Sequence, residues 1–246
     1  MWVGCTLGRR QPWNEEDFDV ARPDVNADAR RAFDVLKSGG TEILPMDVGY
    51  SIIGGSTASL VRIFDAKGRA PEKLNAMIGD NQLSEELHLL DELQRAVVDA
   101  LTRDRGLPLG IIAPADMNHP LIRAMDDEGR RRSTSGGTVC MLLHAGAFHA
   151  EISRLSREEV HPLFGSSANR TMQGTKFRVE DIEPDIRAVA DVEINYGLRK
   201  YHRYGKSSTL LDLADMSVVR EGSCYELISD ALVRDFDIRL PEADAA

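Results

Sequence analysis

The feature that most constrains the fold is a change of period between residues 25 and 46. Val25, Ala29, Ala32, Phe33 and Leu36 recur at the spacing of one helical face, with Asn26 placed to cap the segment and Gly39-Gly40 to end it. The run that follows, 41–46, with Ile43, Leu44 and Met46, predicts a buried strand. The same alternation of helix and strand continues downstream. Asp47 to Tyr50 turns the chain toward a second extended piece ending at Gly54-Gly55, and Leu60, Ile63 and Phe64 mark a second helix closed by Gly68. A longer helix is expected over 84–102, with Leu87, Leu90, Val97, Val98 and Leu101 on its apolar side. Strands are expected over 109–113 and 138–143, near Val192, Leu210 and Val218, and in a short piece running into Gly165; helices are expected over 147–155 and 180–188. This order predicts an α/β fold without internal repeats.

With 246 residues the chain is long for one α/β domain and short for two. The expected organisation is an N-terminal arm over 1–24, holding Trp2, Trp13 and the acidic cluster Glu15-Glu16-Asp17, then one domain over 25–235 and a tail over 236–246. A formal net charge of −10 argues against broad affinity for nucleic acid or acidic membranes, so any anion binding must be concentrated in a site. The first residues lack the apolar stretch of a signal peptide and no window approaches a membrane span, which predicts a cytoplasmic protein with no membrane partner. Cys5, Cys140 and Cys224 are too scattered for a disulfide framework, and the spacing of His144 and His149 fits no familiar ligand pair, so no protein-bound metal is expected.

Two short elements carry the chemistry: Lys67-Gly68-Arg69 behind the second helix, and Ser167-Ala168-Asn169 within GSSANRTMQG. Alone, the first reads as cations on a helix C-terminus and the second as a turn bonding its own backbone. Taken together they offer two cations to a polyphosphate and two short polar side chains at a strand-to-turn junction. No Walker-type Gly-x-x-x-x-Gly-Lys-Ser/Thr is present. Arg130-Arg131-Arg132 reads as a solvated loop or, in its sharper form, as a mobile cover over the anion. Asp47 fits equally a turn carboxylate and a site residue.

In this order the pieces resemble the YrdC/Sua5 family, the threonylcarbamoyl-AMP synthases of tRNA threonylcarbamoyladenosine formation. Five blocks over residues 26–224 carry the resemblance: GGTEILPMDVGY, with Pro45, Asp47 and Tyr50; Ile63-Phe64 leading to Lys67-Gly68-Arg69 and Pro71; Ser167-Ala168-Asn169; Lys206-Ser207-Ser208-Thr209 running into Leu210-Leu211-Asp212; and Arg220-Glu221-Gly222. The resemblance implies a twisted mixed sheet with flanking helices and an open central cleft. It also implies catalytic Lys67, Arg69, Ser167 and Asn169, with Asp47, Tyr50, Ser208 and Arg220 binding nucleotide or substrate. The chain departs from the family pattern at Met46, Val48, Ser51, Gly110 and Leu142, mainly where the family holds threonine. A site that loses hydrogen-bonding partners loses selectivity for a polar substrate, so an altered acceptor is expected.

The resemblance implies a nucleotidyltransferase using ATP, with Mg2+ carried on the phosphates, and bicarbonate plus an amino acid, releasing pyrophosphate. One rival is carbamoyl adenylation from carbamoyl phosphate, which needs no threonine pocket. Another is a non-catalytic nucleotide- or double-stranded-RNA-binding protein, and an RNA or a tRNA-modification protein is the macromolecular partner expected.

Overall fold

The structure, a computed structural model, describes residues 23–69 and 73–240. The expected arm lies outside the described residues except for Pro23 and Asp24, as do Pro71 and the tail beyond Leu240. Helix α1 (Val25–Lys37) is capped two residues earlier than expected: Asp24, not Asn26, accepts a hydrogen bond from the Ala27 amide (3.1 Å). Strands β1 (Thr41–Met46) and β2 (Gly49–Gly54) form a hairpin buried throughout on both faces. Helix α2 (Thr57–Lys67) opens on a capping box between Ser56 and Ser59 and closes on left-handed Gly68 (φ 56°).

After β3 (Ala76–Ile78), the helix expected over 84–102 is broken into α3 (Asn81–Leu87) and α4 (Glu92–Asp99), the latter running into a π turn over Ala100–Asp104. Two interactions outweigh the continuous apolar spacing. Asp91 and Gln94 form a new capping box, and buried His88 is drawn into a β-bridge with Ala115 while its ring reaches Ser84 Oγ (3.0 Å) and Val139 O (3.2 Å). The chain continues through β4 (Leu109–Pro114), α5 (Pro120–Arg123), α6 (Asp127–Ser133), β5 (Thr134–Ser135) and β6 (Thr138–Leu143). The arginine run is therefore helical and not a loop. Asp126 caps α6 through the Gly129 amide (2.7 Å), and Arg130, Arg131 and Arg132 pair with Asp127 and Glu128 on the same helix.

Helix α7 (Ala147–Glu158) and strand β7 (Phe164–Ser167) follow. The helix expected over 180–188 is a 3-10 turn, Val179–Asp181, and a separate short α8 (Pro184–Arg187), because Pro184 is tolerated only in a first helical turn. Strands β8 (Val192–Glu193), β9 (Thr209–Asp212) and β10 (Ser217–Arg220) and helix α9 (Tyr225–Phe236) complete the described chain.

The strands form one mixed sheet in the order β10-β9-β4-β6-β3-β7-β2-β1-β8, with β5 added to β6. On one face α1 and α7 pack over Leu44, Met46, Ile53, Ile78 and Leu142. On the other, α2, α3, α4 and α9 bury the larger core around Ile52, Met77, Ile111 and Leu143. The first layer stops at Leu142. Strand register places Leu142, Gly110, Leu210 and Arg220 in one row across β6, β4, β9 and β10, and beyond Leu142 this face is left open, with Ile112, Cys140 and Leu210 only half-buried.

One group in the covered half is out of place. Glu42 on β1 is fully buried, neither carboxylate oxygen has a hydrogen-bond partner among the described residues, and burial together with the charge of Asp191 pushes its pKa up to about 8. The folded protein holds this proton at pH values where the unfolded chain has released it. Stability is therefore full below the ordinary carboxylate range and falls as pH rises toward about 8, by at most about 1.4 kcal/mol per pH unit. Urea unfolding across this range should show the decline, and Glu42→Gln should remove it; an unchanged slope in that variant would assign the dependence to other groups.

Candidate functional site

The site is organised around the end of α2. Lys67 is its last residue and only 4% exposed, and its ammonium donates to the main-chain oxygens of Ser167 and Asn169. In return the Lys67 carbonyl accepts from the amide (3.2 Å) and hydroxyl (2.9 Å) of Thr171. The exit from β7 is thus wrapped around one side chain. Burial, reinforced by the charge of Arg69 and opposed by Glu183, pushes the Lys67 pKa down to about 7.

Left-handed Gly68 redirects the chain so that Arg69 lies over the Phe64 ring at 5.4 Å and donates to Leu74 O. Arg220, at the end of β10, donates from Nε (3.2 Å) and Nη2 (2.9 Å) to the carbonyl of buried Ser208. Burial lowers the pKa of Arg69, which Cys140 partly offsets and Arg220 adds to; burial also pushes the Cys140 thiol up to about 11 against the pull of Arg220 and Arg69. Arg69 and Arg220 therefore converge beside Cys140, with Lys67 close to Arg69, and none of the three forms an ion pair among the described residues. Asn169 donates to Arg170 O (2.6 Å), which leaves its buried Oδ1 without a partner among the described residues. Cations outside ion pairs, together with short polar groups, are suited to hold phosphate oxygens.

Of the expected residues, the structure brings Lys67, Arg69, Ser167, Asn169, Ser208 and Arg220 together. Asp47 and Tyr50 stand apart as anchors. The Tyr50 ring is fully buried, and its hydroxyl lies among Asn195 Oδ1 (3.1 Å), Gly197 O (2.9 Å) and the Tyr196 amide, which donates to it (3.0 Å). Asp47 pairs with Arg199 (3.1 Å), its carbonyl accepts from the Tyr201 amide (3.0 Å), and Arg199 also reaches Met46 O (3.0 Å). These bonds fix the 195–201 segment, which leads to Ser208. Sequence reasoning missed Arg199, although the cation-rich run Arg199, Lys200, Arg203 and Lys206 needs an acidic anchor such as Asp47. Two depressions lie elsewhere, one of about 220 Å³ between Ser56, Thr57, Asp126 and Gly129 and an open one of about 720 Å³ beside Lys176 and Arg187.

Met46, Val48 and Leu142, the apolar departures noted in the sequence, belong to the core beneath α1 and α7. They are packing residues. Leu142→Arg should accordingly destabilise the protein by several kcal/mol by burying an unpaired charge, on the order of 3–5 kcal/mol. Thermal unfolding checks this, and a melting temperature equal to wild type would show that position 142 can open to the cleft.

The family model Sua5/YciO/YrdC, described as telomere recombination, matches residues 34–222. The chain belongs to that family. No curated protein sequence matches it. Among solved structures, a hypothetical protein of Streptococcus mutans UA159 is similar with a TM-score of 0.72 and 22% identity, over 87% of this chain and 95% of that one. P. abyssi Sua5 complexed with L-threonine gives 0.69 and 20%, over 92% of this chain and 64% of that one. Full-length HypF in its phosphate- and nucleotide-bound form gives 0.60 and 14%, over 84% of this chain and 26% of that one. At these identities the likeness is one of fold, and this chain spans only part of the length of Sua5 and HypF.

Proposed function

We propose that this member of the Sua5/YciO/YrdC family is a nucleotidyltransferase that binds ATP on Lys67, Arg69, Ser167 and Asn169 and joins a carbamate to the α-phosphate, releasing pyrophosphate. The observation that carries this reading is the gathering of Lys67, Arg69 and Arg220, none of them in an ion pair among the described residues, with Arg69 and Arg220 beside Cys140 on the open half of the sheet. In the reaction a carbamate oxygen attacks phosphorus and the pyrophosphate oxygen leaves, so two anions must be brought into line. Charge neutralisation and alignment are then the main tasks. Arg69 would grip the phosphates, Lys67 would add charge beside the Ser167–Asn169 turn, and Ser208 would act through Arg220. No group of three or more metal-ligating side chains occurs among the described residues, and Mg2+ would come as part of the metal–ATP complex.

The acceptor in this reading is not threonine. Met46 and Leu142 stand where the family resemblance expects polar partners for threonine, and because both are buried in core packing they offer an acceptor no hydrogen bond, so the reading takes a smaller or less polar acceptor, or a carbamoyl group taken from carbamoyl phosphate. HypF in its nucleotide-bound form and Sua5 with L-threonine share the fold and mark these two alternatives. Residues 25–235 would form the catalytic unit. No helix among the described residues is long and apolar enough to cross a membrane, in keeping with the proposed cytoplasmic setting.

Pyrophosphate release from ATP with bicarbonate, surveyed across amino acids and carbamoyl phosphate, tests the reaction. Arg69→Ala should weaken ATP binding by about 1.5–3 kcal/mol, as for loss of a charge-assisted contact. Lys67 must also regain a proton to oppose a phosphate. Above pH 7 ATP binding should therefore take up protons, read by calorimetry in buffers of different ionisation enthalpy, and Lys67→Met should abolish the uptake. ATP affinity unchanged in both variants would refute the site, whereas steep salt-dependent RNA binding without turnover would favour the non-catalytic reading.

A further inference from the structure

The chain from Asn195 to Lys206 joins the two halves of the sheet and is fastened at both ends. Near β1, Arg199 pairs with Asp47 (3.1 Å) and donates to Met46 O (3.0 Å). Before β9, the Ser223 hydroxyl donates to Lys206 O (2.6 Å) and the Ser223 amide to Ser207 O (2.7 Å). The segment between these anchors is one-sided in charge: from residue 194 to residue 211 the sequence has no acidic side chain and carries Arg199, Lys200, Arg203 and Lys206. Asp47 is occupied by Arg199 and stands 3.9 Å from Lys200, and Glu221 stands 3.3 Å from Lys206, whereas Arg203 has no ion pair among the described residues. Lys200, Arg203 and Lys206 are exposed, and Leu198 beside them is 42% exposed. The result is a surface of excess positive charge around an apolar side chain, ending next to Ser208 and Arg220.

Such a surface fits an acidic segment with aromatic side chains, and this chain carries one. Glu15, Glu16, Asp17 and Asp19 follow Trp13 and enclose Phe18, within the stretch 1–22 that lies outside the described residues. The point where that stretch joins the structure supplies the second argument. Asp24 caps α1, and one turn on the Tyr196 hydroxyl donates to Asp28 Oδ2 (2.7 Å), so the chain enters the structure beside the start of the same basic segment. Asp17 precedes Asp24 by seven residues, as Arg203 follows Tyr196 by seven. At about 3.4 Å per residue the arm spans the distance along the segment. A short tether also holds two partners at an effective concentration on the order of mM, at which several weak exposed charge pairs act together. We propose that the acidic stretch 15–19 docks on Leu198, Lys200, Arg203 and Lys206 of its own chain, at the edge of the open half of the sheet. The docking needs no ligand; only its consequence, competition with ATP for that half, rests on the nucleotide reading.

Trp2 and Trp13 are the only tryptophans in the sequence, so tryptophan emission of the full chain reports the arm alone. At low ionic strength the emission should be blue-shifted and protected from acrylamide. Raising the salt to about 1 M, where screening acts within about 3 Å, should raise the quenching constant about twofold or more. The triple variant Glu15→Gln, Glu16→Gln, Asp17→Asn and the double variant Lys200→Gln, Arg203→Gln should each show the raised value already at low salt. Reversing both sides, Glu15→Lys and Glu16→Lys with Lys200→Glu and Arg203→Glu, should restore the protection that either reversal alone loses. Emission that is solvent-like and indifferent to salt, or protection that survives in Lys200→Gln, Arg203→Gln, would overturn the docking. Protection that fades on dilution would put the arm on a second copy and overturn the tethered contact. In calorimetry the triple arm variant should bind ATP about threefold or more tightly than wild type at low salt, since the competing state is removed; equal affinities would overturn the competition. If neither chain binds ATP, the nucleotide reading falls and the competition with it, while the fluorescence still decides the docking.

Discussion

The architecture of the site depends on a buried ammonium. Lys67 gives up most of its hydration at the end of α2, and the carbonyls of Ser167 and Asn169 replace part of it. The exchange ties a helix end to a strand exit about a hundred residues away and sets the distance between the two motifs. Carbonyl dipoles solvate a cation less completely than water, so the proton on Lys67 is held loosely. An arriving phosphate would supply the missing negative charge, which makes the same strain that weakens the resting state a source of anion affinity.

This arrangement works because the sheet is covered unevenly. Over β1, β2, β3 and the Leu142 end of β6 the layer of α1 and α7 is closed, and even residues at strand ends, such as Met46, are sealed. Over β4, β9 and β10 the same face is open, and the row from Leu142 through Gly110 and Leu210 to Arg220 crosses the boundary. Gly110 suits that boundary: a Cβ there would lie 3.0 Å from Leu210 Cδ1 and 3.2 Å from Thr209 O. Around the open half, Asp47 and Tyr50 keep the basic 195–201 segment in place without themselves facing the cations. Groups that resemble ligands in the sequence thus act through the backbone they fasten.

How much of this is legible beforehand follows from how local each determinant is. Helix α1, strand β1 and the Gly68 stop are decided by periodicity and capping within a dozen residues, and they stand where the sequence puts them. Helix α6 also had local signals, the Asp126 cap and the pairs three and four residues apart, but the Gly-rich surroundings of the arginine run masked them. The break at His88 was not legible, because it depends on Ala115 and Val139 from other strands.

For the site, the sequence by itself determined the chemical inventory: two cations around a helix-ending glycine, a Ser-x-Asn turn, and a third cation after a late strand. Only the tertiary structure decided what each group touches. It turned Lys67 toward carbonyls, set Arg220 on Ser208, sent Met46 and Leu142 into the core, and left Asn75 and Ser133 buried without partners among the described residues. The reason is physical: residue type and spacing fix which contacts a segment can make, whereas burial and the loss of water that gives those contacts their strength come only from segments far away in the chain.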